Sequence, residues 1–471
     1  MNKIKPLHCL FSLAPVLLYF VASVVFAGET HHLMTAVEWK EALQQGEEWV
    51  REDGVLTFPE KEKTVIRGIL PAPAGSGKVE VTVQQPMGWD TWAQIPDLAP
   101  KGTSDAPVLL PVGEGDVYYF ARSKSSGGGG YHAFHSTDMK TWRSLGPISA
   151  QNGAKTAWVT TAEYHDGKLY VYYDKPNDGD PHLMVGTIVN PGSESSIEWE
   201  SKGRVFDDPS HGSDTAIIRT SDGKWHLISE DWSPINAREN SWDSPLASRR
   251  TSSNGVTGFN ENVEKPPVDL RTTATGKSGT YIHPTSRNKP FEYEIHEPAQ
   301  KAFGDWTAIQ VGDRYYLYAD YHLAGGGKGD IKIGYFGSTS MDNQFTFLGE
   351  FGQGHPDPSI GFVDGRFYLM IQRGKIDWVS EGPWQKGLRG RLGVDADQDG
   401  TVDQWTEWQE LTETYKRKPG FARVVDVKPA TIQAKGLPEM DRYFFELESR
   451  GPDVERIWIK RASEAAALSG E

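Results

Sequence analysis

The chain of 471 residues contains a single cysteine, Cys9, and it falls in a leading segment that reads as removable. Without a second thiol no disulfide forms, and thiol catalysis and thiolate metal sites are excluded from the mature chain. Positive charge is also scarce: 49 Lys and Arg stand against 64 Asp and Glu, a formal charge of −15 that falls two units further without Lys3 and Lys5. An acidic surface of this kind argues against nucleic acid and anionic membranes as partners. After residue 27 no apolar run is long enough to span a bilayer. Helical periodicity is confined to "AVEWKEALQQGEEWVRE" (36–52) and the Ala-rich tail near 462–468. There is no HExxH and no Ser-His-Asp order. The run "SSGGGG" (125–130) is followed by no helix start, so it reads as a flexible turn and not as a phosphate loop.

The leading segment has the layout of a secretory signal peptide over residues 1–27. Lys3 and Lys5 give a positive start, an apolar run follows to Phe26, and Val25-Phe26-Ala27 offers a small-residue cleavage site. The expectation is a periplasmic or secreted protein with no membrane contact once the segment is removed. The sequence carries no sign of oligomeric state.

What is abundant is glycine (50), proline (29) and aromatic residues (16 Trp, 18 Tyr, 19 Phe), with alternating strands and Asp/Gly turns, the composition of an all-β protein. Five segments share one design of apolar strand, tight turn and aromatic strand: "DAPVLLPVGEGDVYYFARS" (105–123), "WVTTAEYHDGKLYVYYD" (158–174), "SDTAIIRTSDGKWHLISED" (213–231), "DWTAIQVGDRYYLYADY" (305–321) and "PDPSIGFVDGRFYLMIQ" (356–372). The second strands alternate, as Tyr118 and Phe120 do, as expected if one face is buried. Five such units predict a five-bladed β-propeller over 101–390, with short flanking β elements at 28–100 and 391–471. An irregular pair of β-sandwiches is the alternative. The stretch 232–304 reads as a long loop inserted over one face.

Alignment of the five units on their turns brings Asp105, Trp158 or Val159, Asp214, Asp305 and Asp357 to the start of the first strand. In a propeller those strands line the axis, so four carboxylates converge. Mutual repulsion then drives their proton affinities apart, which is what glycoside hydrolysis needs: one carboxyl to protonate the leaving oxygen and one carboxylate opposite. Capping of strand ends by Asp is the plainer reading of each position taken alone.

On these residues, and on "HSTDMKTW" (135–142), the chain resembles the five-bladed propeller hydrolases of glycoside hydrolase family 43 and relatives such as family 117. The resemblance covers about residues 100–375. It implies that Asp105 is the general base and that Asp214 orients the acid and raises its proton affinity. It further implies an inverting glycosidase; plant arabinan or xylan and algal galactan all fit as substrates, and a closed carboxylate-lined pocket with the 232–304 insertion as a lid suits trimming of chain ends. The family's acid is a Glu opening blade four, where this chain has Asp305. Glu230 in "HLISEDW" is a second candidate acid, and a histidine acid in family 117 keeps His322 and His355 in view. His355, Asp357, Trp158, Trp306 and His322 are candidate sugar contacts, with Arg238 and Trp242 in "SPINARENSWDSPLASRR" (233–250). A sugar-binding propeller without catalysis and a glycoside phosphorylase are the alternative functions.

One further motif lies outside the repeats. "DADQDGTVD" (395–403) places Asp395, Asp397, Asp399, Thr401 and Asp403 at alternate positions with Gly400 at the sixth, a pattern suited to a structural Ca²⁺. No organic cofactor is expected.

Overall fold

The computed structural model describes residues 29–33, 36–51, 55–58, 63–71, 79–85, 87–89, 91–123, 130–148, 157–175, 177, 179–191, 195–207, 214–232, 244–281, 290–354, 356–372, 376–384, 387–449 and 456–462. The signal segment, His355, Arg238, Trp242 and the tail from 463 lie outside the described residues. Contacts divide the chain into two units, one of Gln85–Gly387 with Thr412–Ala430, the other of Met1–Gln84, Leu388–Leu411 and Thr431–Glu471. Among the described residues no helix is long and apolar enough to cross a membrane.

The first unit is built around five four-stranded antiparallel blades, the fourth of which is extended by two further strands into a six-stranded sheet. Blade one runs Thr103–Gly113, Asp116–Ser123, Gly130–Ser136, Arg143–Pro147; blade two runs Trp158–His165, Lys168–Asp174, Pro181–Val189, Ser196–Arg204. Blade three is Ala216–Arg219, Trp225–Glu230, Leu246–Ser252, Val263–Asp269, and blade four is Lys301–Val311, Arg314–Leu323, Lys332–Ser338, Thr346–Phe351. Blade five takes Ser359–Val363, Arg366–Met370 and Ile376–Ser380 from its own stretch and its outer strand, Ala93–Pro96, from far upstream. The first strand of each blade packs on the first strand of the next, and the fifth on the first, so the ring closes.

Each of the five blade interfaces carries its own apolar cluster. This explains the aromatic second strands. Along Val117–Ala121, Tyr118 and Phe120 face blade two while Val117, Tyr119 and Ala121 face blade five. The alternation expected to bury one face therefore buries both, because every blade is sandwiched between two others.

Two expectations are corrected. The described part of 232–304, from 244 on, is not a lid-like loop: it supplies the two outer strands of blade three and then pairs Ala274–Tyr281 with Phe291–His296. The Pro-Pro strand, Val263–Asp269, lies at the blade's edge, where proline costs no ladder bond. The helix predicted over 36–52 spans only Ala36–Ala42; the strand Leu43–Gln45 follows it, and Gly46 at φ 97 then leads into a single 3-10 turn, Glu47–Trp49.

The flanking segments form a unit of their own. One sheet orders Leu43–Gln45, Thr64–Pro71, Arg442–Ser449, Leu388–Val394 and Gln404–Trp405; the other orders Glu29–Leu33, Arg456–Ala462, Val79–Gln84 and Ala430–Gln433. Between its two C-terminal pieces the chain returns to the propeller, where Val424–Lys428 pairs in parallel with the inner strand of blade four. That return places Arg423 on the axis. Fully buried, its guanidinium donates to the carbonyls of Ala162 (3.1 Å), Ile360 (2.8 Å) and Leu109 (3.5 Å) and to Thr307 Oγ1 (3.4 Å), touching four inner strands at once.

Candidate active site

Three of the four aligned aspartates have left-handed backbones: Asp105 (φ 72), Asp305 (φ 53) and Asp357 (φ 41). Asp tolerates this region better than most residues, and such strain collects at functional sites. The ladder breaks at two of the three, between Ser104 and Val108 in blade one and between Gly304 and Thr307 in blade four. The break frees the aspartate from strand pairing and turns its side chain toward the axis end of the ring.

The side chains meet there. Carboxylate oxygens of Asp214, Glu230 and Asp305 lie within 4.8 Å of one another, and so do those of Asp305, Asp320 and Asp357. Clustered so closely, these carboxylates raise the cost of one another's charge. Two hydrogen bonds cross between blades to hold the arrangement: Glu230 Oε1 accepts the Asp305 amide (3.2 Å) and Asp320 Oδ1 accepts the Asp357 amide (2.8 Å). Glu230 is buried, and its other oxygen accepts Trp232 Nε1 at 2.6 Å. Gln372 donates to Asp357 Oδ2.

Asp105 faces a different neighbour. Arg122 Nε sits 2.6 Å from its Oδ2, and the guanidinium lies over the rings of Trp158 (4.5 Å) and Tyr131 (5.5 Å). Tyr131 is buried, which pushes its phenol well above the usual value, with Asp105 the leading charge in the same direction. It therefore stays a neutral ring under the arginine. Farther down the axis burial pushes the Glu163 carboxyl up, opposed by Arg423 and by amide donors including Arg219.

The other expected contacts divide. Trp158 opens the inner strand of blade two beside Arg122, and His322 is buried two residues past Asp320 on the same strand. Trp306 is a correction: it packs with Phe303 and Phe336 between blades three and four, because the alternation that turns Asp305 to the axis turns its neighbour into the core. Sequence reasoning missed Asp320, Arg122 and Gln372. A signal for them was present, since the same step past each turn gives Arg122, Asp174, Glu230, Asp320 and Gln372, a polar residue at or near the end of every second strand.

In the other unit, 395–403 links Leu388–Val394 to Gln404–Trp405, and oxygens of Asp395, Asp397 and Asp403 come within 4.8 Å of one another. Two ligand bonds of ~2.3–2.6 Å to one cation span about that distance. Asp399 instead accepts the Thr401 amide at 2.7 Å.

The model of glycosyl hydrolases family 43 matches residues 101–265, from the first blade into the third. That stretch carries the family 43 glycoside hydrolase pattern. The family 43 match thus contains Asp105, Asp214, Glu230 and Arg122, while Asp305, Asp320 and Asp357 lie beyond it. No curated protein matches the chain. Among solved structures it is similar to an exo-1,5-α-L-arabinanase from a bovine ruminal metagenomic library, at 16% identity over 64% of this chain and 97% of that one (TM-score 0.38). It is also similar to a Cellvibrio cellulosa α-L-arabinanase complexed with arabinohexaose, at 16% identity over 69% and 95% (TM-score 0.40). A family 43 β-1,3-galactosidase aligns at 11% identity over 69% and 75% (TM-score 0.41).

Proposed function

We infer that the chain hydrolyses a glycosidic bond in plant or algal oligosaccharides or at polysaccharide chain ends, with inversion. The observation that carries this reading is the split among the axial carboxylates. Asp105 stands against a cation, while Asp214, Glu230 and Asp305 stand against one another. Contrasting environments of this kind are how a site separates its base from its acid. In this reading Asp105 takes a proton from water as the water oxygen attacks the anomeric carbon. Asp305 gives its proton to the departing glycosidic oxygen, and the electron pair of the broken bond leaves with that oxygen. Glu230 is buried with both oxygens engaged, which suits holding Asp305 better than delivering a proton. Asp214 completes the acid's surroundings. Action at chain ends no longer has a lid to support it and rests on the convergence of the acids at a closed ring.

The test is turnover of arabinohexaose, xylotriose and a β-1,3-linked galacto-oligosaccharide by the wild type and Asp105→Asn, with the product anomer read by proton NMR. Inverted product from the wild type alone is expected. Sugar binding without product, with or without added phosphate, would move the chain to the second reading, a carbohydrate-binding propeller. Asp rather than Glu at the start of blade four favours that alternative. Export after removal of residues 1–27 is part of the proposal and is read by N-terminal sequencing of the mature protein. A structural Ca²⁺ at 395–403 is part of it too, resting on the convergence of Asp395, Asp397 and Asp403.

A further inference from the structure

Five polar residues stand at one repeat position, seven residues past the turn at or near the end of each second strand: Arg122, Asp174, Glu230, Asp320 and Gln372. Glu230 and Asp320 each accept the amide of the next blade's leading aspartate, and Gln372 donates to the side chain of its own. These positions therefore steer the leading aspartates. Arg122 is the one cation in the set, and the carboxylate it reaches is Asp105, at 2.6 Å.

We propose that Arg122 is a positioning residue for the reaction, fixing the Asp105 carboxylate at the angle from which it takes a proton from water. The proposal rests on the hydrolase reading above. Asp105 needs such a hold because its backbone does not supply one: it is left-handed and lies in the gap in the ladder between Ser104 and Val108. Arg122 can supply it because it is itself clamped. Trp158 of blade two covers its guanidinium at 4.5 Å, and the buried Tyr131 of its own blade lies at 5.5 Å. A guanidinium resting on two rings loses little further freedom on meeting a carboxylate, whereas a lysine ammonium would keep the charge and lose the stacking. The side chains of Arg122 and Asp105 are 21% and 30% exposed, so the pair borders the open end and water reaches it.

The experiment compares Arg122→Met, Arg122→Lys, Asp105→Asn and the Arg122→Met/Asp105→Asn double variant, on whichever of arabinohexaose, xylotriose or the galacto-oligosaccharide the wild type turns over. Arg122→Met is expected to lower kcat by about 30-fold with KM within about threefold, the pattern of a lost transition-state geometry. Arg122→Lys recovers part of that loss. In the Asp105→Asn background the same Met substitution costs nothing more, since it acts only through Asp105. An unchanged kcat in Arg122→Met, or an equal cost with and without Asp105, overturns the proposal and leaves the hydrolase reading standing. If the wild type turns over none of the sugars, the hydrolase reading falls and the role of Arg122 in the reaction falls with it. The thermal-stability cycle of the same four proteins then still reads whether Arg122 holds Asp105, with additive melting shifts denying even that contact.

Discussion

Two acidic clusters in this chain are made in opposite ways. In the propeller, Asp214, Glu230, Asp305, Asp320 and Asp357 come from three blades, and the hydrogen bonds that place them span 75 residues (Glu230 to Asp305) and 37 residues (Asp320 to Asp357). In the 395–403 loop every partner is local. Asp395 accepts the amides of Asp399 (3.1 Å) and Gly400 (2.8 Å), and Asp403 accepts that of Ala396 (2.6 Å). The loop's charges are met by its own backbone and, for Asp397 and Asp403, by solvent. The axial carboxylates face one another and are held by donors that lie mostly on other blades, which only the closed ring brings together. The first arrangement suits chemistry because proton affinities are forced apart; the second suits folding of a turn.

The sharpest way to break that contrast is to neutralise one member of each site. Asp105→Asn should lower turnover about 100- to 10,000-fold, the range for a lost general base, while the melting temperature stays near that of the wild type. Asp395→Asn should leave turnover unchanged when assayed below its own melting temperature. Equal losses from the two substitutions would mean that the clusters are not functionally distinct.

The floor beneath the axial acids comes next. Arg423 enters from outside the ring and donates to inner strands of blades one, two, four and five, with the buried Glu163 its opposing charge. Removing one member of such a buried arrangement leaves the other uncompensated, so Arg423→Met should cost about 3–5 kcal/mol in urea unfolding. A loss under 1 kcal/mol, on the order of an ordinary surface change, would show that the ring closes without its axial arginine.

Asp377 tests what a buried carboxyl does when it stands outside the cluster. Burial pushes it up to about 6 from its ordinary 3.8, although it accepts the amides of Leu98 and Ile371. Its folded value lies above its unfolded value, so the fold prefers the neutral acid. The contribution is complete below about pH 4 and is lost as pH rises through about 6, on the order of 3 kcal/mol in all. Asp377→Asn, neutral throughout, should gain on the wild type across that window. A stability difference flat in pH between 4 and 7 would contradict this assignment.

The same contrast explains what could be read without coordinates. The five inner hairpins are local, periodic and repeated, so Asp105, Asp214, Asp305 and Asp357 could be aligned before any strand was paired. The loop at 395–403 was legible as an acidic turn because its geometry is all short-range, although of its five candidate ligands the side chains of Asp395, Asp397 and Asp403 are the ones that converge. Asp320 and Arg122 act across strands or blades, and the repeat pointed to them only at the far end of the second strand, where the alignment had not been carried. The outermost strand of blade three, Val263–Asp269, was hidden because an edge strand needs no aromatic face and tolerates its two prolines. The return of 412–430 to the axis was hidden because Arg423 meets its partners through their backbone carbonyls and one hydroxyl, a pattern with no sequence signature. Trp306 was misread because alternation alone does not say which neighbour of a strained Asp faces inward.

The smallest expected effect belongs to the loop itself. If Asp395, Asp397 and Asp403 bind Ca²⁺, the ion competes with amides that already occupy the same oxygens, so net gain is modest. For a site of extracellular type, ~1 mM Ca²⁺ should add about 1 kcal/mol, seen as a melting temperature that falls with chelator and recovers with Ca²⁺. Asp397→Asn should abolish that response more cleanly than Asp395→Asn, because Asp397 is exposed whereas Asp395 is buried and caps two amides whose loss destabilises the turn by itself. A melting temperature indifferent to chelator in the wild type would leave the loop as a turn held by its own aspartates, and the contrast with the axial cluster would then be complete.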